Sequence, residues 1–297
     1  MNDFLFIINF QIMKKLLILL FFLQNVLISN AQWADLGFQE RSLKVDGYRI
    51  QYQVKGQGPV LLMLHGITLT GDQWIHFADA YTDSNTVIVP DLPGHGGSTP
   101  LPEEYSFGQN ADLMLRFMDK IGADTIQGIG HSAGGIILLH MGYKQPERLQ
   151  SIAIINAPHY LGATAREIAR NDTWENLDEP TRQWYLELYQ GDVKKLNHIF
   201  RQYNGLAESK EKLTHDQLAQ ITSKVLVVWG EKDPAFTMEQ ALELYRSLPH
   251  AALFIIPEQG HTPLWEEMGG DPAAAKYFIH KTKTFLRNKD MDQVKWF

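Results

Sequence analysis

Thr125-Ile126-Gln127-Gly128-Ile129-Gly130-His131-Ser132-Ala133-Gly134-Gly135-Ile136-Ile137-Leu138-Leu139 decides how the rest of this 297-residue chain is read. Thr125 to Ile129 has the character of a short strand, and Ile136 to Leu139 reads as helix. Between them, Gly130-His131-Ser132-Ala133-Gly134 spells G-x-S-x-G. In a strand–turn–helix context that spacing sets a serine at the tip of a strained turn, with glycines where larger side chains would collide. The same letters satisfy G-x-G-x-x-A through Gly128, Gly130 and Ala133, so a dinucleotide-binding turn is the competing reading. That fingerprint asks for an acidic residue about 20 positions on, at the end of the next strand. The next strand instead runs into Asn156-Ala157-Pro158, which disfavours the dinucleotide.

Either side of this turn, strands and helices alternate. Pro59 to Leu64, Val87 to Val89, Ile152 to Ile155, Val225 to Trp229 and Ala252 to Ile256 are unbroken apolar runs. Such runs fit strands covered on both faces in a mostly parallel sheet. Ahead of them, Leu43 to Val45 and Tyr48 to Val54 alternate apolar and polar residues across Asp46-Gly47, a two-residue hairpin signal. Ala111, Met114, Leu115, Met118 and Ile121 make a helical stripe, with Gly122 at its end. This order predicts an α/β sheet with helices on both sides. His159 to Ser223 interrupts the pattern: 65 residues without a strand-like run, rich in aromatics and leucines at helical spacing. The stretch is too long for an ordinary crossover and is read as a helical insertion folded over one end of the sheet.

A serine nucleophile needs a base, and the base an orienting acid. Gly230-Glu231-Lys232-Asp233 follows the strand ending at Trp229, and Gly260-His261 follows the strand ending at Ile256. Ser132, Asp233 and His261 are therefore all expected at the carboxyl rim of one sheet, in the order used by sheet hydrolases. The strand Pro59 to Leu64 runs into His65-Gly66-Ile67-Thr68. The backbone amides of Ile67 and Ala133 are the expected oxyanion donors, each worth about 10²–10³ in rate. His65 and the turn Asp91-Leu92-Pro93-Gly94-His95-Gly96-Gly97-Ser98 read as loop architecture.

Composition sets outer limits. The chain has 27 Lys+Arg against 34 Asp+Glu, a net charge of −7, which argues against a nucleic-acid partner. It has no cysteine, which excludes disulfides, thiolate metal sites and a cysteine nucleophile. No metal-ligand motif is visible, so neither a metal nor another cofactor is expected. Lys14-Lys15, the apolar run Leu16 to Leu23 and Ser29-Asn30-Ala31 have the layout of a secretory leader cleaved after Ala31. Met13 then becomes the simplest translation start, and the mature chain is expected to be exported, periplasmic or extracellular, and free of membrane.

Together, His65-Gly66, Asp91-Leu92-Pro93-Gly94-His95-Gly96, Gly130 to Gly135, Gly230-Glu231-Lys232-Asp233 and Gly260-His261 resemble the α/β-hydrolase superfamily over about residues 40–288. The resemblance implies a mostly parallel eight-stranded sheet flanked by helices, with residues 32–158 and 224–297 as the core. It makes 159–223 a helical cap inserted before the acid-bearing strand. A serine at 132 disfavours dehalogenases and epoxide hydrolases. The elbow and the small aromatic-rich cap look most like carboxylesterases and the cofactor-free haloperoxidase/perhydrolase-like group. The expected reaction is acyl transfer on a small-molecule substrate: Ser132 attacks, His261 takes its proton and Asp233 holds the imidazole. Three competitors stay open. A C–C bond hydrolase uses the same three residues, and a slow-turnover receptor shares the fold. An aminopeptidase would need an acidic pair, for which Glu175 and Asp178 are the candidates. Oligomeric state is left open.

Overall fold

The computed structural model describes residues 32–100 and 105–287. The leader read into residues 1–31 lies outside the described residues. Eight strands form one sheet: β1 Gln39–Val45, β2 Tyr48–Lys55, β3 Val60–Leu64, β4 Thr86–Pro90, β5 Ile126–His131, β6 Leu149–Ile155, β7 Lys224–Gly230 and β8 Ala251–Ile256, in the order β1-β2-β4-β3-β5-β6-β7-β8. The first two strands are antiparallel to each other, and β2 is antiparallel to β4. All later pairings are parallel. The hairpin turns at the expected dipeptide: Asp46 and Gly47 both have positive φ, 51° and 90°, and Val45 pairs with Tyr48. Two left-handed residues match the twist of the flanking strands, which is why Asp-Gly is favoured there.

The unbroken apolar runs are explained by two separate cores. Successive side chains on a strand point to opposite faces. Leu62 and Leu64 of β3, with Val225, Val227 and Trp229 of β7, belong to one core, packed beneath α1 (Phe107–Ile121) and α2 (Ala133–Lys144). Leu61, Met63, Leu226 and Val228 belong to the other, with Trp33, Trp74, Trp265, Phe278 and Phe285. β8 departs from the expected pattern: five of its six residues are only half-buried. It is the terminal strand of the sheet, paired on one side to β7.

Between β6 and β7 lie α3 (Ala163–Asn171), α4 (Glu179–Leu188), α5 (Val193–Gly205) and the short helix His215–Leu218. Tyr189, Leu196, Ile199 and Phe200 give this segment a small core of its own, against which Trp174 and Tyr185 pack. Its two ends are tied together by a single antiparallel bridge, Tyr160 with Lys212. The next long helices are α6 (Met238–Ser247) and α7 (Pro272–Arg287). Among the described residues no helix is long and apolar enough to cross a membrane.

Candidate active site

Ser132 sits between β5 and α2 with φ 49° and ψ −118°, outside the regions a non-glycine residue ordinarily occupies. Neighbouring glycines permit the turn. A Cβ on Gly134 would lie 2.2 Å from the Leu64 carbonyl oxygen, and one on Gly130 would lie 2.6 Å from the Gly134 carbonyl carbon. Backbone pressed on backbone at those distances leaves no room for a side chain. Such strain costs about 1–3 kcal/mol and persists only where the surroundings impose it. Here the Ser132 amide donates to the Ile155 carbonyl at 2.9 Å.

Asp233 follows β7 and has its carboxylate fully engaged. Oδ1 accepts from the amides of Ala235, at 2.7 Å, and Phe236, at 3.0 Å. Oδ2 accepts from His261 Nδ1 at 2.8 Å and from Asn156 Nδ2. Burial alone would raise its pKa. The hydrogen bond and charge of His261, with Asn156 and the Ala235 amide, outweigh that and hold it below the usual carboxylate value. With Nδ1–H given to Asp233, a neutral His261 carries its lone pair on Nε2. Glu231, the other acid of the loop, instead accepts from the Glu258 amide at 3.0 Å.

Ser132 and His261 line one cavity of about 710 Å³, together with Ile67 and Ala133. No hydrogen bond joins their side chains among the described residues. Neither the Ile67 nor the Ala133 amide has an acceptor among the described residues. The remaining walls are mainly apolar, with Leu161, Ile168 and Phe200 from the insertion facing Ile136 and Phe236 of the sheet side. Neither acid proposed for an amine site lines this space. Asp178 instead caps α4, accepting from the Thr181 amide at 2.9 Å.

Three further groups complete the site, and the sequence reading missed them. Asn156, noted only for not being an acid, donates to Asp233 and accepts from the Gly230 amide at 3.1 Å. It thereby joins the β6 and β7 rims. Gln73 accepts from the Gly66 amide at 2.9 Å and donates to His131 Nδ1 at 2.9 Å, while His131 Nε2 donates to the His261 carbonyl at 2.9 Å. This chain links the loop bearing Ile67 to the loop bearing His261. From the insertion, the Tyr189 hydroxyl donates to the Thr68 and Leu69 carbonyls at 2.9 Å, and the Tyr185 hydroxyl lies 2.8 Å from Thr68 Oγ1. Their sequence separations from the groups they hold, 77 for Asn156 and over 110 for the tyrosines, leave no local signal.

His65 and the Asp91 turn serve as loop architecture. His65 donates from Nδ1 to the Gly66 carbonyl at 2.8 Å and accepts the Leu92 amide at Nε2, 2.9 Å. His95 likewise donates to the Pro93 carbonyl and accepts the Thr68 amide. Asp91 accepts from the Gly71 and Gly97 amides at 2.9 and 2.7 Å. The sequence carries no metal-ligand motif. Among the described residues His159, His215 and Glu243 converge, outside the lining of this cavity.

A family model described as the alpha/beta hydrolase fold matches residues 59–201 and 178–268. The chain is 27% identical over 248 residues to the dihydrolipoyllysine-residue acetyltransferase component of an acetoin cleaving system from Cupriavidus necator; the match covers 75% of this chain, which spans 64% of that relative's length. It is 25% identical over 274 residues to a 2-hydroxy-6-oxo-6-phenylhexa-2,4-dienoate hydrolase from Burkholderia cepacia, covering 82% of this chain and 93% of that protein. Among solved structures, a membrane phospholipase A described as a bacterial virulence factor superposes with a TM-score of 0.73 at 22% identity, covering 96% of this chain and 99% of that one. That likeness shows the fold alone.

Proposed function

This chain belongs to the alpha/beta hydrolase fold family, and from that premise we propose that it is a serine hydrolase acting on a small carboxylic ester through Ser132, His261 and Asp233. The observation that supports the reading most is the coupling of a buried, fully hydrogen-bonded Asp233 to His261, on the wall of the apolar cavity that also holds the strained Ser132. In this reading Ser132 Oγ attacks the ester carbonyl carbon and its proton passes to His261 Nε2. The developing oxyanion is held by the amides of Ile67 and Ala133. Collapse expels the alcohol, which takes the proton from His261. Water, deprotonated by His261, then releases the acid and restores the serine. Asp233 keeps the imidazole tautomer and balances the transient positive charge. Stabilisation of charge by preset donors in a dry site supplies the largest share of such a barrier reduction.

Ser132 and His261 share no hydrogen bond among the described residues, and catalytic hydrogen bonds often tighten only with substrate bound. The apolar walls suit an acyl chain better than a charged group. A second reading is favoured by one observation, the match to the phenylhexadienoate hydrolase over 82% of this chain. It keeps the three residues and replaces the ester by a carbonyl whose C–C bond is cleaved.

A fluorophosphonate probe tests the nucleophile. It is expected to label the chain once, at Ser132, and to leave Ser132→Ala unlabelled. A label mapped to another serine, or full activity in Ser132→Ala, overturns the assignment. A panel of activated esters of increasing acyl length, run beside a dienoate ketone, separates the two substrate classes by kcat/KM. A turnover number indistinguishable from that of Ser132→Ala across the panel would point instead to a receptor.

A further inference from the structure

Outside the cavity, three segments distant in sequence meet at one point. His159 lies just beyond β6 at the start of the insertion, His215 at its end, and Glu243 on helix α6 of the sheet layer. One ligand atom from each lies within 4.8 Å of the others. We propose that these residues form a binding site for a divalent transition metal of the zinc class, fastening both ends of the helical insertion to the core.

Proton positions support it. His159 is buried, and its Nδ1 lies 2.7 Å from the Leu213 carbonyl, which can only accept. Nδ1 is therefore the donor, and in a neutral ring Nε2 carries a lone pair. That lone pair points at Glu243 Oε2, 3.3 Å away, itself an acceptor. Two acceptors face each other at that distance only with a cation between them, either a proton or a metal. Zinc bonds of about 2.0–2.2 Å at a tetrahedral angle set neighbouring ligand atoms about 3.3–3.5 Å apart, and the His159–Glu243 pair has that separation. His215 is exposed, and one of its ring nitrogens lies within 4.8 Å of the other two ligand atoms.

The surroundings are those of a built ligand set. Ligating histidines usually give their second nitrogen's proton to a carbonyl or carboxylate, which fixes the ring. Leu213 does this for His159, and the Leu213 amide returns a bond to the His159 carbonyl at 3.0 Å. The Tyr160 carbonyl accepts from Gln240 Nε2 at 3.0 Å, on the same helix as Glu243. The His159 ring packs against Tyr160 with centroids 4.7 Å apart. Two imidazoles and one carboxylate suit zinc, nickel or copper(II) rather than magnesium or calcium, which prefer all-oxygen sets. Three protein ligands leave a fourth position to water on the exposed side. In a chain without cysteine, such a clip closes the loop that a disulfide would otherwise close.

The test uses untagged full-length protein, stripped with EDTA and dialysed, then titrated with zinc chloride against a chromophoric chelator. One equivalent is expected to bind, and cobalt(II) in its place should give the visible bands of a tetrahedral centre. At zinc a hundredfold above its Kd, the folded-to-unfolded ratio should rise about a hundredfold, read as a raised melting temperature. His215→Ala, altered at an exposed position, should melt like the parent in EDTA but lose the zinc-induced rise. Its zinc affinity should be at least about a hundredfold weaker, since changes even to outer-shell partners cost 10–100-fold. Glu243→Gln should behave alike. Equal zinc affinity in parent and both variants, or no binding by the parent below millimolar zinc, would overturn the site and leave His159–Glu243 as an ion pair. Labelling of Ser132 is independent of either result.

Discussion

Asp233 is defined by its four hydrogen bonds more than by its place in sequence. Two amides fix Oδ1, and Asn156 and His261 share Oδ2. Asp233→Asn keeps the shape but presents an amide where an acceptor of the imidazole proton is needed, so the tautomer is lost. A decrease of about 10⁴ in kcat is expected, with circular dichroism unchanged. Glu231→Gln should stay close to the parent rate, because Glu231 bonds the Glu258 amide rather than His261. Assays of both on one activated ester decide the matter; near-parent rates in Asp233→Asn would remove Asp233 from the mechanism. Choosing Asp233 over Glu231 from sequence rested on family resemblance, since two acids two positions apart in one loop have the same local surroundings. Only the orientation of that loop against β8 separates them.

At the scale of elements, the insertion and the oxyanion loop form a unit. Thr68 has a positive φ of 67°, a conformation that needs support, and Tyr185 and Tyr189 of the insertion supply it. Tyr189 is buried, and burial holds its hydroxyl protonated far above the ordinary tyrosine range, so it remains a donor. Tyr189→Phe removes that donor from two carbonyls. Leaving buried acceptors unpaired costs about 1–3 kcal/mol, which a denaturant titration should detect. The Ile67 amide then sits on a loosened loop, and kcat should fall about tenfold with little change in KM, since an oxyanion donor acts in the transition state. Unchanged kcat in Tyr189→Phe would separate the insertion from catalysis. The helical character of this segment was legible from residue spacing. Which tyrosines turn inward was not, because their partners are carbonyls, and a carbonyl leaves no trace in the identity of its residue.

The whole molecule has an acid sensitivity set by buried histidines. His65, His95 and His131 each accept a hydrogen bond on one ring nitrogen and donate from the other, which only a neutral imidazole can do. Burial, foremost, pushes His65 well below its usual range, His95 down to about 4 and His131 down to about 3. The unfolded chain takes up these protons near pH 6.5 and the folded chain does not, so stability is lost as pH falls from about 6.5 toward 4. Asp91, raised by burial to about 6, acts in the opposite sense over part of that window, with one proton against three. The histidines outnumber Asp91, so the net effect is a loss of stability on acidification, on the order of a few kcal/mol per pH unit at most. Melting temperatures between pH 7 and 4.5 should therefore fall steeply, and a flat profile would mean that these rings are protonated in the fold.

The residue order alone determined the strands, the helical insertion, the elbow and the rim positions of Ser132, Asp233 and His261. Each depends on local periodicity, turn chemistry or the rule that sheet sites lie at strand carboxyl ends. It also misjudged one feature, β8, read as a strand covered on both faces, and it carried no signal for the meeting of His159, His215 and Glu243. Burial of an end strand depends on what packs beyond the sheet. A three-segment ligand cluster exists only once β6, the end of the insertion and α6 have been brought together. The Asn156 bridge, the Gln73–His131 link and the tyrosine supports belong to the same class. They are contacts between residues 58 to 121 positions apart, set by the sheet order and by how the insertion folds back, and no local pattern encodes a partner at that distance.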